Sequence, residues 1–228
     1  MRENWQILQS GAGRPSLNMA LDEALLESSR ERGQPLLRFY GWTEPAGTFG
    51  YAQRYAEVAA VTALRPLIRR PTGGGLVPHD RDWTYSLVFP PGHWWFELPA
   101  LESYRRVHEW LRLSFLEIGV ESEVAPEARR EIAGQCFAGW ERFDLLWSGR
   151  KIAGAAQRRN RHGLLVQGSV QPPPLGLAKA DWQKALCDTA HRGWGVDWIE
   201  AEISTAVWDR ADALERGKYG EASHNCKR

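Results

Sequence analysis

Two hydrophobic periods are interleaved along this chain, and their order limits the folds open to it. Residues 5–9 alternate apolar and polar at the two-residue period of a half-buried strand. Ser16 stands as an N-cap before Leu17, Ala20, Leu21, Ala24 and Leu25, a helical stripe that Gly33 and Pro35 close. Residues 36–42 read as a strand, and a Pro/Gly-broken stretch runs to Gly50. A short helix over 55–64, a strand over 67–70, a loop over 71–80 and an alternating strand over 82–89 follow. Residues 90–99 are turn-rich and contain the pair Trp94-Trp95. Leu101, Tyr104, Val107, His108, Leu111, Phe115 and Ile118 then share a helical face, with Gly119 as the stop. Strands over 143–147 and 151–157 meet at the turn Ser148-Gly149, and 163–170 is a further strand ended by Pro172, Pro173 and Pro174. Two helical pieces, 181–192 and 196–216, precede a polar tail over 217–228. Strands and helices neither alternate strictly nor segregate, which predicts an α+β fold with a mixed β-sheet flanked by helices, not a doubly wound one.

The chain's 228 residues suit a single domain over 1–216 plus that tail. No apolar run approaches the ~20 residues of a membrane span, and the N-terminus lacks the apolar core of a secretory signal. A cytoplasmic protein without membrane attachment is the expectation. Lys+Arg 29 against Asp+Glu 28 leaves a net charge of +1, which argues against a dedicated nucleic-acid binder. Cys136, Cys187 and Cys226 are odd in number and widely spaced, so neither a disulfide framework nor a CxxC metal site fits. Cys187 sits in an amphipathic helix and reads as packing, and Cys226 as exposed. His93, His108, His191 and His224 show no metal-ligand spacing, and no metal is expected. The 12 tryptophans read as core and groove packing in preference to a dedicated ligand groove.

Two stretches carry the candidate chemistry. In the first, Arg69 and Arg70 precede Thr72, Gly73, Gly74 and Gly75, and His79-Asp80 follow. Consecutive glycines let backbone N–H groups approach a ligand closely, and the arginines supply fixed positive charge for a carboxylate or phosphate. The plain alternative is a glycine-rich turn with solvated arginines. In the second, Lys151 follows the turn at Ser148-Gly149, with Gly154 and Ala155 beyond it; small residues beside a lysine admit a substrate chain to the backbone. A surface lysine over packed glycine and alanine is the alternative.

Together these stretches resemble the lipoate-protein ligase and octanoyltransferase family, which shares its catalytic domain with biotin protein ligases. The family patterns RRxxGGGxVxHD and GxKxxGxAQ match residues 69–80 and 149–157, and 18–23 and 42–53 are similar as well. The arginine–glycine alternating loop of the biotin branch is absent. The resemblance implies a biotin/lipoate-ligase-like catalytic domain over 1–216. It implies Cys136 and Lys151 as catalytic residues, with Arg69, Arg70, Thr72, Gly73, Gly74, Gly75, His79, Gly154 and Ala155 binding substrate. The glycine loop and the strand facing it are expected to bury the acyl chain.

Within the family, Cys136-Phe137 ahead of Phe143-Asp144 and the lysine strand is similar to the cysteine-dependent octanoyltransferases. The cysteine of the other octanoyltransferase branch follows the lysine. An unassisted thiol of pKa ~8.5 is only about 3% thiolate at pH 7, so an ammonium such as Lys151 nearby would activate it. Many relatives have His-Gly where this chain has Gln167-Gly168; if that histidine assists proton transfer, the role is either missing here or taken by His79 or His162. The expected activity is octanoyl transfer from acyl carrier protein through a Cys136 thioester to a lysine of a lipoyl-domain protein. A glycine-cleavage carrier or a dehydrogenase subunit would serve as that acceptor, and no cofactor is needed. An ATP- and Mg²⁺-dependent lipoate-protein ligase and a non-catalytic relative that binds lipoyl domains are the alternatives.

Overall fold

The computed structural model describes residues 2–130 and 139–227. The first half contributes β1 (Glu3–Gly13), α1 (Pro15–Glu27), α2 (Ser29–Arg32), β2 (Leu36–Trp42), β3 (Ala46–Phe49) and α3 (Tyr55–Ala60). It continues with β4 (Leu67–Arg69), β5 (Val77–His79), β6 (Trp83–Phe89), α4 (Trp94–Glu97) and α5 (Ala100–Glu117). The second half holds β7 (Glu123–Val124), β8 (Arg129–Arg130), β9 (Gly139–Trp140), β10 (Leu145–Trp147), β11 (Arg150–Asn160) and β12 (Gly163–Val170). After these come α6 (Lys179–Trp194), β13 (Val196–Glu200), α7 (Thr205–Leu214), a π-helical turn (Glu215–Tyr219) and α8 (Ala222–Asn225).

Eight strands form one mixed sheet in the order β13-β1-β2-β6-β12-β11-β10-β7. Only β13–β1 and β1–β2 pair in parallel; the other neighbours are antiparallel. A three-stranded sheet β4-β3-β5 and the ribbon β8-β9 stand beside it. Because side chains alternate along a strand, each central strand serves both faces. Leu37 and Phe39, Tyr85 and Leu87, and Leu164 and Val166 point into a core shared with α5 and α6. Leu36, Val88 and Leu165 point the other way, under α1 and α7.

The α1 face changes character along the strands. Leu36, Val88 and Leu165 form one cross-strand row; the next row is Arg38, Ser86 and Gln167, and the one after it Tyr40, Thr84 and Ser169. β11 extends the last two rows with Ala156 and Gly154. An apolar floor thus becomes polar within four residues, and every polar member is buried.

Several elements differ from the sequence reading. Pro15 is the first residue of α1, and Ser16 makes no cap; its hydroxyl donates to Glu215 Oε1 at 2.6 Å. Residues 196–200 are strand, not helix: Gly195 ends α6 in the left-handed conformation, and Val196 and Trp198 turn inward at a period of two beside β1. Residues 217–227 pack on the domain, with Tyr219 and Asn225 buried. The tryptophans mostly pack: Trp5 meets Trp95, Trp110, Trp194 and Trp198 at ring-centroid distances of 6.5, 6.1, 6.2 and 5.9 Å. Among the described residues no helix is long and apolar enough to cross a membrane.

Candidate active site

Where the polar rows end, a cavity of about 40 Å³ opens between the main sheet and the small one. Met19, Trp42, Val77, Ala155 and Ala156 make its apolar wall, and Thr48, Arg70, His79, Gln167 and Ser169 its polar one. Lys151 lines it as well.

The polar wall rests on two buried carboxylates. Asp22 of α1 accepts from Arg38 Nη1 at 2.7 Å and Ser86 Oγ at 2.8 Å on one oxygen, and from Tyr40 Oη at 3.1 Å and Gln167 Nε2 at 2.7 Å on the other. Asp82 accepts from His79 Nδ1, Thr84 Oγ1 and Ser169 Oγ at 2.8, 2.9 and 2.7 Å. Burial alone would raise the Asp82 carboxyl; the His79 charge and these donors outweigh it and hold the group below the usual value. The other His79 nitrogen, Nε2, lies 2.7 Å from Thr48 Oγ1, and its ring stacks on Trp42 at 3.9 Å. With both edges occupied, His79 is a fixed wall of the cavity. His162 lies elsewhere, its carbonyl accepting from Ser29 Oγ.

Lys151 is seated by its own strand. Its side chain is 6% exposed, and Nζ lies 2.7 Å from Oδ2 of the fully buried Asp144. A shift in the β10–β11 register between Leu145 and Leu146 falls where the two residues come together. A Cβ at Gly154 would stand 2.6 Å from both Cε and Nζ of Lys151, so the lysine runs across a surface that only glycine leaves open. That contact is the physical content of the three-residue spacing from Lys151 to Gly154.

The other expected residues divide. Arg70 points into the cavity and donates to Thr72 Oγ1 at 3.1 Å, Thr48 O at 3.1 Å and Gly73 O at 2.5 Å. Thr72 donates in turn to Gln167 Oε1 at 2.8 Å. Gly154 and Ala155 line the cavity. Arg69 does not. It is fully buried, and its guanidinium donates to the carbonyls of Tyr51, Gln53, His224 and Asn225 at 2.8, 2.6, 3.2 and 2.9 Å. Gly73, Gly74 and Gly75 also lie outside the lining; Gly74 takes φ +84°, and its carbonyl packs on Gly50 so closely that no Cβ fits there. Cys136 lies outside the described residues. Cys187 packs on the core, where burial raises its thiol to about 12, and Cys226 is exposed.

Sequence reasoning passed over Met19, Tyr40, Thr48, Thr84 and Ser169. The signal was present on β6, where Thr84 and Ser86 alternate with Tyr85 and Leu87, but polar alternates ordinarily mark a solvent face. Here they mark a buried polar one.

The model of the lipoyl protein ligase A/B catalytic domain matches residues 14–171, and the chain belongs to that family. Relatives include octanoyltransferase LipM of Staphylococcus aureus, 34% identical over 183 residues, covering 75% of this chain and 66% of the relative. Octanoyltransferase LipM of Bacillus subtilis is 35% identical over 184 residues, with coverage of 74% and 66%. The chain spans just under two thirds of the length of these relatives. The fold is similar to that of a T. acidophilum protein solved with bound lipoic acid, at a TM-score of 0.83 and 20% identity over the whole of both chains. It is also similar to lipoate-protein ligase A bound with ATP, at a TM-score of 0.78 and 20% identity over 99% of each chain.

Proposed function

We propose that the chain is an octanoyltransferase of protein lipoylation. In this reading Cys136 takes an octanoyl group from acyl carrier protein as a thioester, releasing the carrier thiol, and passes it to a lysine amine of a lipoyl-domain protein. The observation that carries it is one buried lysine, ion-paired to Asp144, in the wall of a small and partly apolar cavity in a chain related to octanoyltransferases. The apolar wall suits a hydrocarbon tail, and a fully buried eight-carbon chain contributes about 5–6 kcal/mol at ~0.8 kcal/mol per methylene. The cavity as it stands, about 40 Å³, holds roughly three waters, so the wall must part for that chain. Met19 is the wall residue suited to give way, because an unbranched thioether repacks at little cost. The reaction needs no nucleotide, and the site is expected to work in the cytoplasm.

The test is intact mass spectrometry after incubation with octanoyl-acyl carrier protein. One octanoyl adduct is expected on the parent chain and none at that position on Cys136→Ser. An acyl-adenylate made only with ATP and Mg²⁺, with no protein adduct, would replace this reading with the ligase one. Neither product would leave a lipoyl-domain binder without turnover.

A further inference from the structure

We propose that Tyr104 on α5 is a positioning residue for Lys151, acting through Asp144. The proposal rests on the functional reading above and adds to it a residue outside the cavity lining. Asp144 is fully buried, so its charge requires donors on both oxygens. Oδ2 takes Lys151 Nζ and the Glu141 N–H, each at 2.7 Å. Oδ1 takes a short hydrogen bond from the Tyr104 hydroxyl. The backbone around the carboxylate is equally constrained: Phe143 has φ +75°, a strained value for a bulky residue, and Ala125 exchanges hydrogen bonds of 2.8 Å with Phe143 N and Asp144 O.

The fourth group at the carboxylate is His108. Its Nδ1 lies 2.9 Å from the Tyr104 carbonyl, which can only accept, so Nδ1 carries the proton. Burial lowers the His108 pKa and keeps the ring neutral near pH 7. Nε2 then presents a lone pair toward Asp144 Oδ1 at 4.0 Å and has no hydrogen-bond partner among the described residues. In that state His108 offers the carboxylate nothing, and the Tyr104 hydroxyl is the side-chain donor that fixes Oδ1. Without it, Oδ1 of the buried carboxylate loses its side-chain donor, Asp144 is held through Oδ2 alone, and the geometry that lays Lys151 across Gly154 is less tightly set.

Tyr104→Phe keeps the ring, which packs on His108 at 4.3 Å, and removes only the hydroxyl. Two measurements test it. The first is steady-state transfer of octanoyl from acyl carrier protein through the enzyme to a lipoyl-domain protein. We expect kcat to fall by about tenfold or more while KM for the donor stays within about twofold, since the hydroxyl lies outside the cavity lining and meets it at Ala155 N, at 3.5 Å. In an Asp144→Asn background the same change should have no further effect, because the hydroxyl acts through the carboxylate. The second is acetylation by a water-soluble succinimidyl ester, mapped by peptide mass spectrometry with the exposed Lys184 as internal standard. The Lys151-to-Lys184 labelling ratio should change severalfold in Tyr104→Phe. An unchanged ratio, or independent effects of the two substitutions on kcat, overturns the proposal. If the parent chain proves to have no transfer activity, the functional reading fails and the labelling ratio alone decides the role of Tyr104.

Discussion

Gly154 shows how a single hydrogen atom in place of a methyl group sets the position of a charge. An alanine Cβ there would stand 2.6 Å from Cε and Nζ of Lys151 and 3.2 Å from Asp144 Oδ1, side-chain atoms and no backbone, so the backbone can absorb it while the ammonium cannot stay put. Gly154→Ala is therefore expected to lower the unfolding free energy by about 1–3 kcal/mol, because the ammonium that moves is a donor to the buried Asp144. Acyl transfer should fall by about tenfold or more in the same variant, as a group displaced by an ångström loses its alignment. Parallel unfolding titrations and single-turnover assays decide the matter; a loss of stability with transfer at the parent rate would mean that Gly154 is structural. Gln167 makes a related point. It must accept from Thr72 and donate to Asp22 while staying uncharged beside a carboxylate, and an amide does all three.

At the scale of elements, the strands and helices were legible wherever their hydrophobic period was clean. Residues 36–42 and 163–170 match β2 and β12 to the residue, and the helix over 101–118 matches α5 to within one. The period failed where too few residues expressed it: β3, β5 and β7 have four, three and two residues, and their pairing partners are distant in the chain. The lysine and glycine of the candidate site were legible through their spacing. The carboxylates that hold the site were not, because Asp22, Asp82 and Asp144 gain meaning only from the side chains that the fold brings around them. The same holds for α8. Its Asn225 side chain accepts from Arg69 N at 2.9 Å and donates to Tyr219 O at 2.9 Å, tying a helix of four residues to β4. Asn225→Ala leaves a buried backbone N–H without its acceptor and should cost about 1–3 kcal/mol. Urea unfolding checks it, and a midpoint equal to the parent's would show that α8 merely rests on β4.

Over the whole molecule, burial of histidine makes stability depend on pH. His93, His108 and His224 are all lowered, in each case chiefly by burial; at His93 this outweighs the nearby Glu3, whose Oε1 lies 2.8 Å away. The folded state thus holds fewer protons than the unfolded chain once the pH drops toward the ordinary imidazole value. Their contribution is complete above about pH 6.5 and is lost progressively below it. Asp82 and Glu23, lowered as carboxylates, push in the same direction at more acid pH: burial opposes both, and their donors win. Thermal midpoints should be level from about pH 7 to 8 and fall steadily from about 6.5 to 5. A flat profile down to pH 5 would mean that these histidines are solvated when folded.

The carbonyls of His224 and Asn225 that receive Arg69 have a further consequence, in the order of biosynthesis. They follow Arg69 by 155 and 156 residues. At a ribosomal pace of roughly 5–20 residues per second, a nascent chain exposes that arginine for about 8–30 s before its last two acceptors exist. The central strands β2, β6 and β12 are all synthesised before then, so the sheet can form ahead of the clasp. Thr48, Gly73 and Gln167, the partners of Arg70 and Thr72, are all in place by residue 167, so that side of the cavity can be set before the Arg69 clasp on α8 closes behind it.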